Sequence, residues 1–144
     1  LNSCKMEIIT KQLNFKTKGA GDLVNITDNI QDVLEQSGLK QGSVTVFLVG
    51  STAAITTFEY ESGLISDIKE LYERLIPQNK SYAHDRTWGD ANGFSHLRAA
   101  LQGPSLVIPF NSSNLILGTW QQIVLAEFDT RPRQRKIILQ FIGI

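Results

Sequence analysis

Cysteine is almost absent from this chain of 144 residues: Cys4 stands alone, so no internal disulfide can form and a reducing, cytoplasmic setting is expected. Net charge is absent as well. Lys plus Arg and Asp plus Glu both count 14, which leaves no whole-molecule field to draw the chain to nucleic acid or to an anionic membrane. A partner must therefore be recognised at a local site. Long apolar runs are missing too. The richest stretches, Leu115 to Phe128 and Lys136 to Ile144, are broken by polar residues and fall short of the roughly 20 that a bilayer requires. No membrane-spanning helix is expected, and no secretory signal, since Leu1 to Gly19 never builds a continuous apolar core. Leu1 to Lys5, upstream of the single methionine Met6, is set aside from fold reasoning as an extension or processing product. The last scarcity is histidine, of which there are only His84 and His96.

What remains suffices for one domain over residues 1–144, with a single core. Met6 to Lys16 alternates as a strand, and Gly19 and Gly21 break it. Thr27-Asp28, with Gln31 as a capping partner for Asp28, opens a helix striped by Ile30, Val33 and Leu34 and stopped by Gly38. Val44 to Val49 and Ala53 to Phe58 read as strands. The clearest helix runs from Gly63 to Ile76, capped by Ser62 and stopped by Pro77. Its stripe of Leu64, Ile65, Ile68, Leu71, Tyr72, Leu75 and Ile76 is expected to anchor the core, at roughly 1.5–3 kcal/mol for each large side chain buried. Gln78 to Gly89 reads as a loop, Gly93 to Leu101 as a short helix that buries Leu97 and Leu101, and Pro104 forbids its continuation. Strands then follow at Ser105–Phe110, Leu115–Leu117, Gln121–Asp129 and Gln134–Ile142. Both faces of Ile123 to Phe128 are apolar, which predicts a strand buried between two layers. The order predicts an α+β domain, a mostly antiparallel sheet or sandwich with about three helices. The apolar surplus of the last strands points to burial in an oligomer.

Chemistry concentrates between His84 and Arg98. Both histidines lie there beside the oxygen donors Asp85, Asp90 and Asn92, and imidazole is the one side chain that titrates near neutrality without help. A helix from Gly93 places Asn92 and His96 on one face, at an end whose free N–H groups favour an anion. The dipole contributes only about 0.3–1 kcal/mol at an exposed end, so a phosphate also needs cations such as Arg98 or Arg86. Arg133 and Arg135, in the only basic cluster, share a strand face suited to paired N–H donation. Gly118-Thr119-Trp120-Gln121 reads as a bend exposing Thr119 and Gln121 to a pocket. A metal, zinc or magnesium, would take His84 and His96 and need a carboxylate such as Glu59, Asp85 or Asp90. Each feature has a plainer alternative: a helix cap, a solvated turn, a core Trp. No serine sits in a nucleophile elbow, and no glycine-rich phosphate loop occurs.

Several segments together resemble the YjbQ-type family, often labelled secondary thiamine-phosphate synthases. They are Tyr82-Ala83-His84, Asn92-Gly93-Phe94-Ser95-His96, Leu101-Gln102-Gly103-Pro104-Ser105 with Val107-Ile108-Pro109, Leu117-Gly118-Thr119-Trp120-Gln121, Glu127, and Arg131-Pro132-Arg133-Gln134-Arg135. The resemblance runs from about Ile8 to the C-terminus. It implies an α+β sandwich-like domain, commonly a homotrimer, with a pocket around His84 and His96. Where the family usually has a His-Thr-Ser triplet this chain has Gly50-Ser51-Thr52, one histidine fewer. The implied activity joins a pyrimidine pyrophosphate to a thiazole phosphate. In it His84, His96, Asp90 and Asn92 are catalytic, Arg98, Arg133, Arg135, Thr119 and Gln121 hold phosphates, and His84, His96 and Glu59 hold a divalent metal. A β/α barrel, typically of about 250 residues, is excluded by length, so such an activity would be a convergent and weak one. The alternative is a phosphometabolite- or metal-binding protein without turnover.

Overall fold

A computed structural model describes residues 5–144, so Cys4 and nearly all of the Leu1–Lys5 segment lie outside the described residues. Eight strands and four helices follow in the order β1 (Glu7–Lys16), β2 (Leu23–Asn25), α1 (Thr27–Ser37), β3 (Gln41–Val49), β4 (Ala53–Glu59), α2 (Ser62–Leu75), α3 (Ala83–Trp88), α4 (Gly93–Gln102), β5 (Ser105–Asn111), β6 (Asn114–Leu115), β7 (Gln121–Glu127) and β8 (Gln134–Gly143). The strands form two antiparallel sheets, one of five strands in the order β1-β8-β3-β5-β6 and one of three in the order β2-β7-β4. The α+β class and the antiparallel pairing are as expected. No helix among the described residues is long and apolar enough to cross a membrane.

The smaller sheet is the middle layer. Ala53, Ile55, Ile123 and Leu125 face the larger sheet, where they meet Val44, Val46, Leu48, Ile137, Leu139 and Phe141, with Ile26, Ile30 and Leu34 closing that core. Ala54, Val124 and Ala126 face the other way, onto Tyr72 of α2, Ala99 of α4 and Phe128. Strand β7 is thus covered on both sides, as its unbroken apolar composition requires.

Four local expectations are corrected. Residues Gln78 to Gly89 are not all loop, because α3 occupies Ala83–Trp88. Asp28 and Gln31 do not make the expected cap. Helix α1 starts from Ile26 without a side-chain cap, the Thr27 hydroxyl accepts from the Ile123 N–H, and Gln31 reaches across to Ser113 and Leu115. The N-cap of α2 is Glu61 rather than Ser62, its carboxylate accepting from Gly63 N and Leu64 N at 2.8 and 2.6 Å. Finally, the α2 stripe is not the buried anchor its spacing promised: Tyr72 is buried, while Leu71 and Leu75 stay exposed. The middle sheet is only three strands wide, and α4 takes part of the surface that α2 would otherwise cover.

Candidate functional site

Helices α3 and α4 meet at their N-terminal ends, and one carboxylate ties them together. Asp85 accepts from its own helix start at Tyr82 N (3.0 Å) and from the first residue of α4, Gly93 N (2.8 Å). These two backbone donors hold the Asp85 carboxyl below its ordinary range. The anion expected at the α4 N-terminus is therefore a side chain of the protein itself. Gly93 is needed for the joint rather than for a ligand. A Cβ there would lie 2.6 Å from the Tyr82 Cβ, the immovable root of that side chain.

This clamp brings the two histidines together with their rings tilted. The His84 ring on α3 and the His96 ring on α4 have centroids 4.5 Å apart at an interplanar angle of 56°. His84 Nε2 lies 3.6 Å from an Asp90 carboxylate oxygen. Asn92 sits between them. Its amide nitrogen is oriented to donate to His84 Nε2 (3.0 Å) and to the Asp90 oxygens (3.0 and 3.1 Å), because an amide oxygen in that place would face only acceptors. In this arrangement the neutral His84 carries its proton on Nδ1 and accepts at Nε2. The four side chains expected to be catalytic, His84, His96, Asp90 and Asn92, are thus brought into one hollow, all at least partly open to solvent.

A deeper polar cluster lies at the same end of the smaller sheet. Glu127 and Arg135 form a fully buried pair, with Arg135 Nε donating to Glu127 Oε1 at 2.8 Å and a second bond from Nη2 to Oε2. The Thr17 hydroxyl adds a bond to Glu127 (2.5 Å), and Arg135 also donates to the Thr52 hydroxyl (2.7 Å). Thr52 in turn donates to Asp129 (3.1 Å), which pairs with the half-exposed Arg133 at 2.5 Å. Burial pushes the Asp129 carboxyl up, but the Thr130 N–H, the Thr52 hydroxyl and Arg133 together hold it below the ordinary range. Asp129, whose place in this network sequence reasoning missed, links the buried pair to the half-exposed Arg133. Its signal was faint: one aspartate at the end of an apolar strand.

The expected phosphate and metal ligands disperse. Arg98 is buried on the opposite side of α4, donating to the Ile76 carbonyl from Nε (3.0 Å) and Nη2 (2.8 Å) and to Glu73 (2.8 Å), with Phe94 under its guanidinium. Arg135 is occupied by Glu127. Arg133 keeps donors facing solvent. Glu59, Thr119 and Gln121 lie at the far end of the smaller sheet. Glu59 pairs with Gln121 while Ala53, six residues earlier on β4, lies by the histidines, a separation of about 20 Å along an extended strand. Glu59 therefore cannot join His84 and His96 on one metal within a chain. Among the described residues no group of three or more His, Cys, Asp or Glu is placed to hold a metal ion, and the Asn92 amide already occupies His84 Nε2. The donor set does not fit a closed zinc site.

Beside His96 a shallow groove of about 430 Å³ opens between the β3–β4 turn and α4, lined by Gly50, Ala53, Leu97, Ala100 and Pro104. Leu97 and Leu101, expected to be buried, are 47 % and 62 % exposed, because α4 turns Phe94, Ser95, Arg98 and Ala99 inward instead. The Ser95 hydroxyl is spent on the Phe128 carbonyl at 2.5 Å and is no nucleophile.

A family model described as UPF0047 protein YjbQ-like matches residues 11–144. A UPF0047 protein of Methanothermobacter thermautotrophicus is 41 % identical over 138 residues, 96 % of this chain and 94 % of that protein. One from Archaeoglobus fulgidus is 40 % identical over 129 residues, 90 % of this chain and 98 % of its own. Among solved structures, a YbjQ-like protein of unknown function from Sulfolobus solfataricus superposes with a TM-score of 0.90 at 32 % identity, covering 97 % of this chain and all of that one.

Proposed function

This chain belongs to the YjbQ-like UPF0047 family, and from that premise we propose that the His84–His96 hollow binds a small phosphorylated molecule and moves a proton during a group transfer on it. The observation that carries the reading is the facing of the chain's only two histidines across 4.5 Å, each on a different helix and both fixed by Asp85. Structural economy gives no reason to stack two imidazoles at a surface. An acid–base site does, since one ring can give a proton while the other accepts one, with a contribution typically of 10²–10⁴ in rate.

In the transferase form of this reading the ligands are a pyrimidine pyrophosphate and a thiazole phosphate. The ring nitrogen of the thiazole attacks the pyrimidine methylene carbon, the carbon–oxygen bond breaks, and pyrophosphate leaves with the bonding pair. No protein nucleophile is required, in keeping with the engaged Ser95. One imidazole protonates the departing pyrophosphate, Asn92, itself held by Asp90, fixes the tautomer of His84, and Arg133 offers its free donors to phosphate oxygens. Any divalent ion in this reading arrives on the pyrophosphate oxygens rather than in a protein cage, which is the usual habit of Mg²⁺. The working form is a cytoplasmic homotrimer, supported by the exposed Phe47, Val107 and Leu101.

Purified protein given both substrates should form thiamine phosphate, and His96→Ala should lower the rate at least about 100-fold. Undiminished turnover by that variant rejects the site. A second reading, a phosphometabolite-binding protein without turnover, is favoured by the Asn92 amide already held on His84 Nε2. Calorimetric binding of pyrophosphate that His96→Ala abolishes, with no product from the wild type, would select it.

A further inference from the structure

The turn Gly118 to Gln121 is the motif that the hollow leaves unexplained. It is built with care. Gln121 N donates to the Gly118 carbonyl at 3.0 Å, Gly118 N donates to the Gln121 side-chain oxygen at 2.9 Å, and the Gln121 amide is anchored to the Thr57 hydroxyl at 3.1 Å. At its apex this rigid turn holds Trp120 out into solvent, 71 % exposed, with Ile116 exposed beside it. An indole can bury some 150–250 Å², so leaving one pre-ordered and uncovered is an unusual use of the residue. Yet the turn stands at the Glu59 end of the smaller sheet, about 20 Å from the histidines of its own chain.

The opposite end carries a complementary surface. The groove beside His96 is apolar, is flanked by the exposed Leu97 and Leu101, and continues through Gly50 onto the exposed Phe47 and Val49 of β3. Charge is complementary as well. Exposed Glu59 and Glu61 border the Trp120 turn, whereas exposed Lys136 pairs with Val49 at the edge of the groove, with Arg131 on the preceding turn. One chain therefore offers an apolar knob beside carboxylates and an apolar groove with Lys136 near its edge, on two different surfaces. That is the signature of a head-to-tail contact, which closes into a ring when its rotation permits.

We propose that Trp120 of one chain seats in the groove beside His96 of a second copy, so that the Gly118–Gln121 turn completes the histidine hollow of its neighbour. The inference rests on that hollow being the functional site. The indole roofs the groove and excludes water from His96, and Thr119 delivers its hydroxyl to the neighbour's site, a place it cannot reach in its own chain. Pre-ordering the anchor lowers the entropic cost of association, and a central aromatic is where interfaces concentrate their energy.

The test is a cross-link in the full chain carrying Cys4→Ser. A double variant, Leu97→Cys with Thr119→Cys, should on mild oxidation give covalent multimers on a non-reducing gel, while each single variant stays unlinked. Trp120→Ala should reduce the mass in sedimentation to that of one chain with an unchanged circular dichroism spectrum. Single variants that link to themselves would show like meeting like in a two-fold pairing and overturn the proposal. So would an assembly untouched by Trp120→Ala, or a wild-type chain that is monomeric at every concentration. Pyrophosphate calorimetry separates the two readings. Linked multimers that bind no pyrophosphate keep this interface and remove the proposed function, whereas a monomer that binds it does the reverse.

Discussion

The Glu127–Arg135 cluster and the His84–His96 hollow both gather ionisable groups at one end of the same three-stranded sheet, but they treat them oppositely. Glu127 and Arg135 are nearly sealed from solvent and mutually bonded, with Thr17 adding a bond to Glu127 and Thr52 accepting one from Arg135. His84, His96, Asp90 and Asn92 stay partly wet and hold one another by single contacts. A saturated buried network fixes geometry and has nothing left to offer a ligand. A half-satisfied, half-exposed one retains donors and protons to exchange. Of the arginines that looked like phosphate ligands, Arg98 and Arg135 are engaged by Glu73 and Glu127 while Arg133 keeps donors in solvent, and the histidines fall on the open side.

The strongest way to break this contrast is Arg135→Ala, which leaves Glu127 charged, buried and unpaired. A loss of about 3–5 kcal/mol in urea unfolding is expected. Replacing both partners, with Arg135→Met and Glu127→Leu, should recover most of it, and a single-variant loss below about 1 kcal/mol would mean the pair is not structural. Next comes Gly93→Ala. The added methyl meets the Tyr82 Cβ, so about 1–3 kcal/mol should be lost, and the α3–α4 joint that aligns the rings should open, lowering pyrophosphate binding together with stability.

Asp129 closes the outer edge of the buried cluster, and pH sharpens its role. Its folded pKa is depressed below the unfolded value, so the carboxylate contributes stability that is present above about pH 4 and is lost as pH falls through the folded value. The urea midpoints of wild type and Asp129→Asn should therefore differ by a constant amount from pH 7 down to about 5 and converge in more acid solution. The smallest effect on folding belongs to His96→Ala, expected within about 0.5 kcal/mol of wild type, since a side chain kept for chemistry is cheap to remove. A loss of several kcal/mol there would place His96 with the structural cluster.

Much of this contrast was legible in the residues, and what was not has identifiable causes. The unbroken apolar run of Ile123 to Phe128 announced a strand covered on both faces, and the order of elements announced a mostly antiparallel sheet or sandwich with helices packed against it. The histidine cluster followed from proximity in sequence alone. Helix α3 escaped because six residues cannot show a stripe, although Asp85, three positions after Tyr82, and the left-handed Gly89 carry its start and stop. Strand β2 has only three residues, too few for alternation to register. Burial was harder than secondary structure. Periodicity located α2 and α4 but could not say that Leu71, Leu75, Leu97 and Leu101 would remain outside, because that depends on how wide the covered sheet is. Charged residues were misread for a related reason: sequence shows that Arg98 and Arg135 are cationic, not that Glu73 and Glu127 already hold them.

Strand β8 lies between β1 and β3, paired with β1 over ten positions and with β3 over eight. The last of the described strands in chain order is thus the one that joins the first to the rest. Until it arrives, β1 has no partner on either side, and the sheet over which the hydrophobic core closes cannot be assembled. Such long-range pairing is slow to nucleate, so a nascent chain must carry β1 unpaired until β8 has been made.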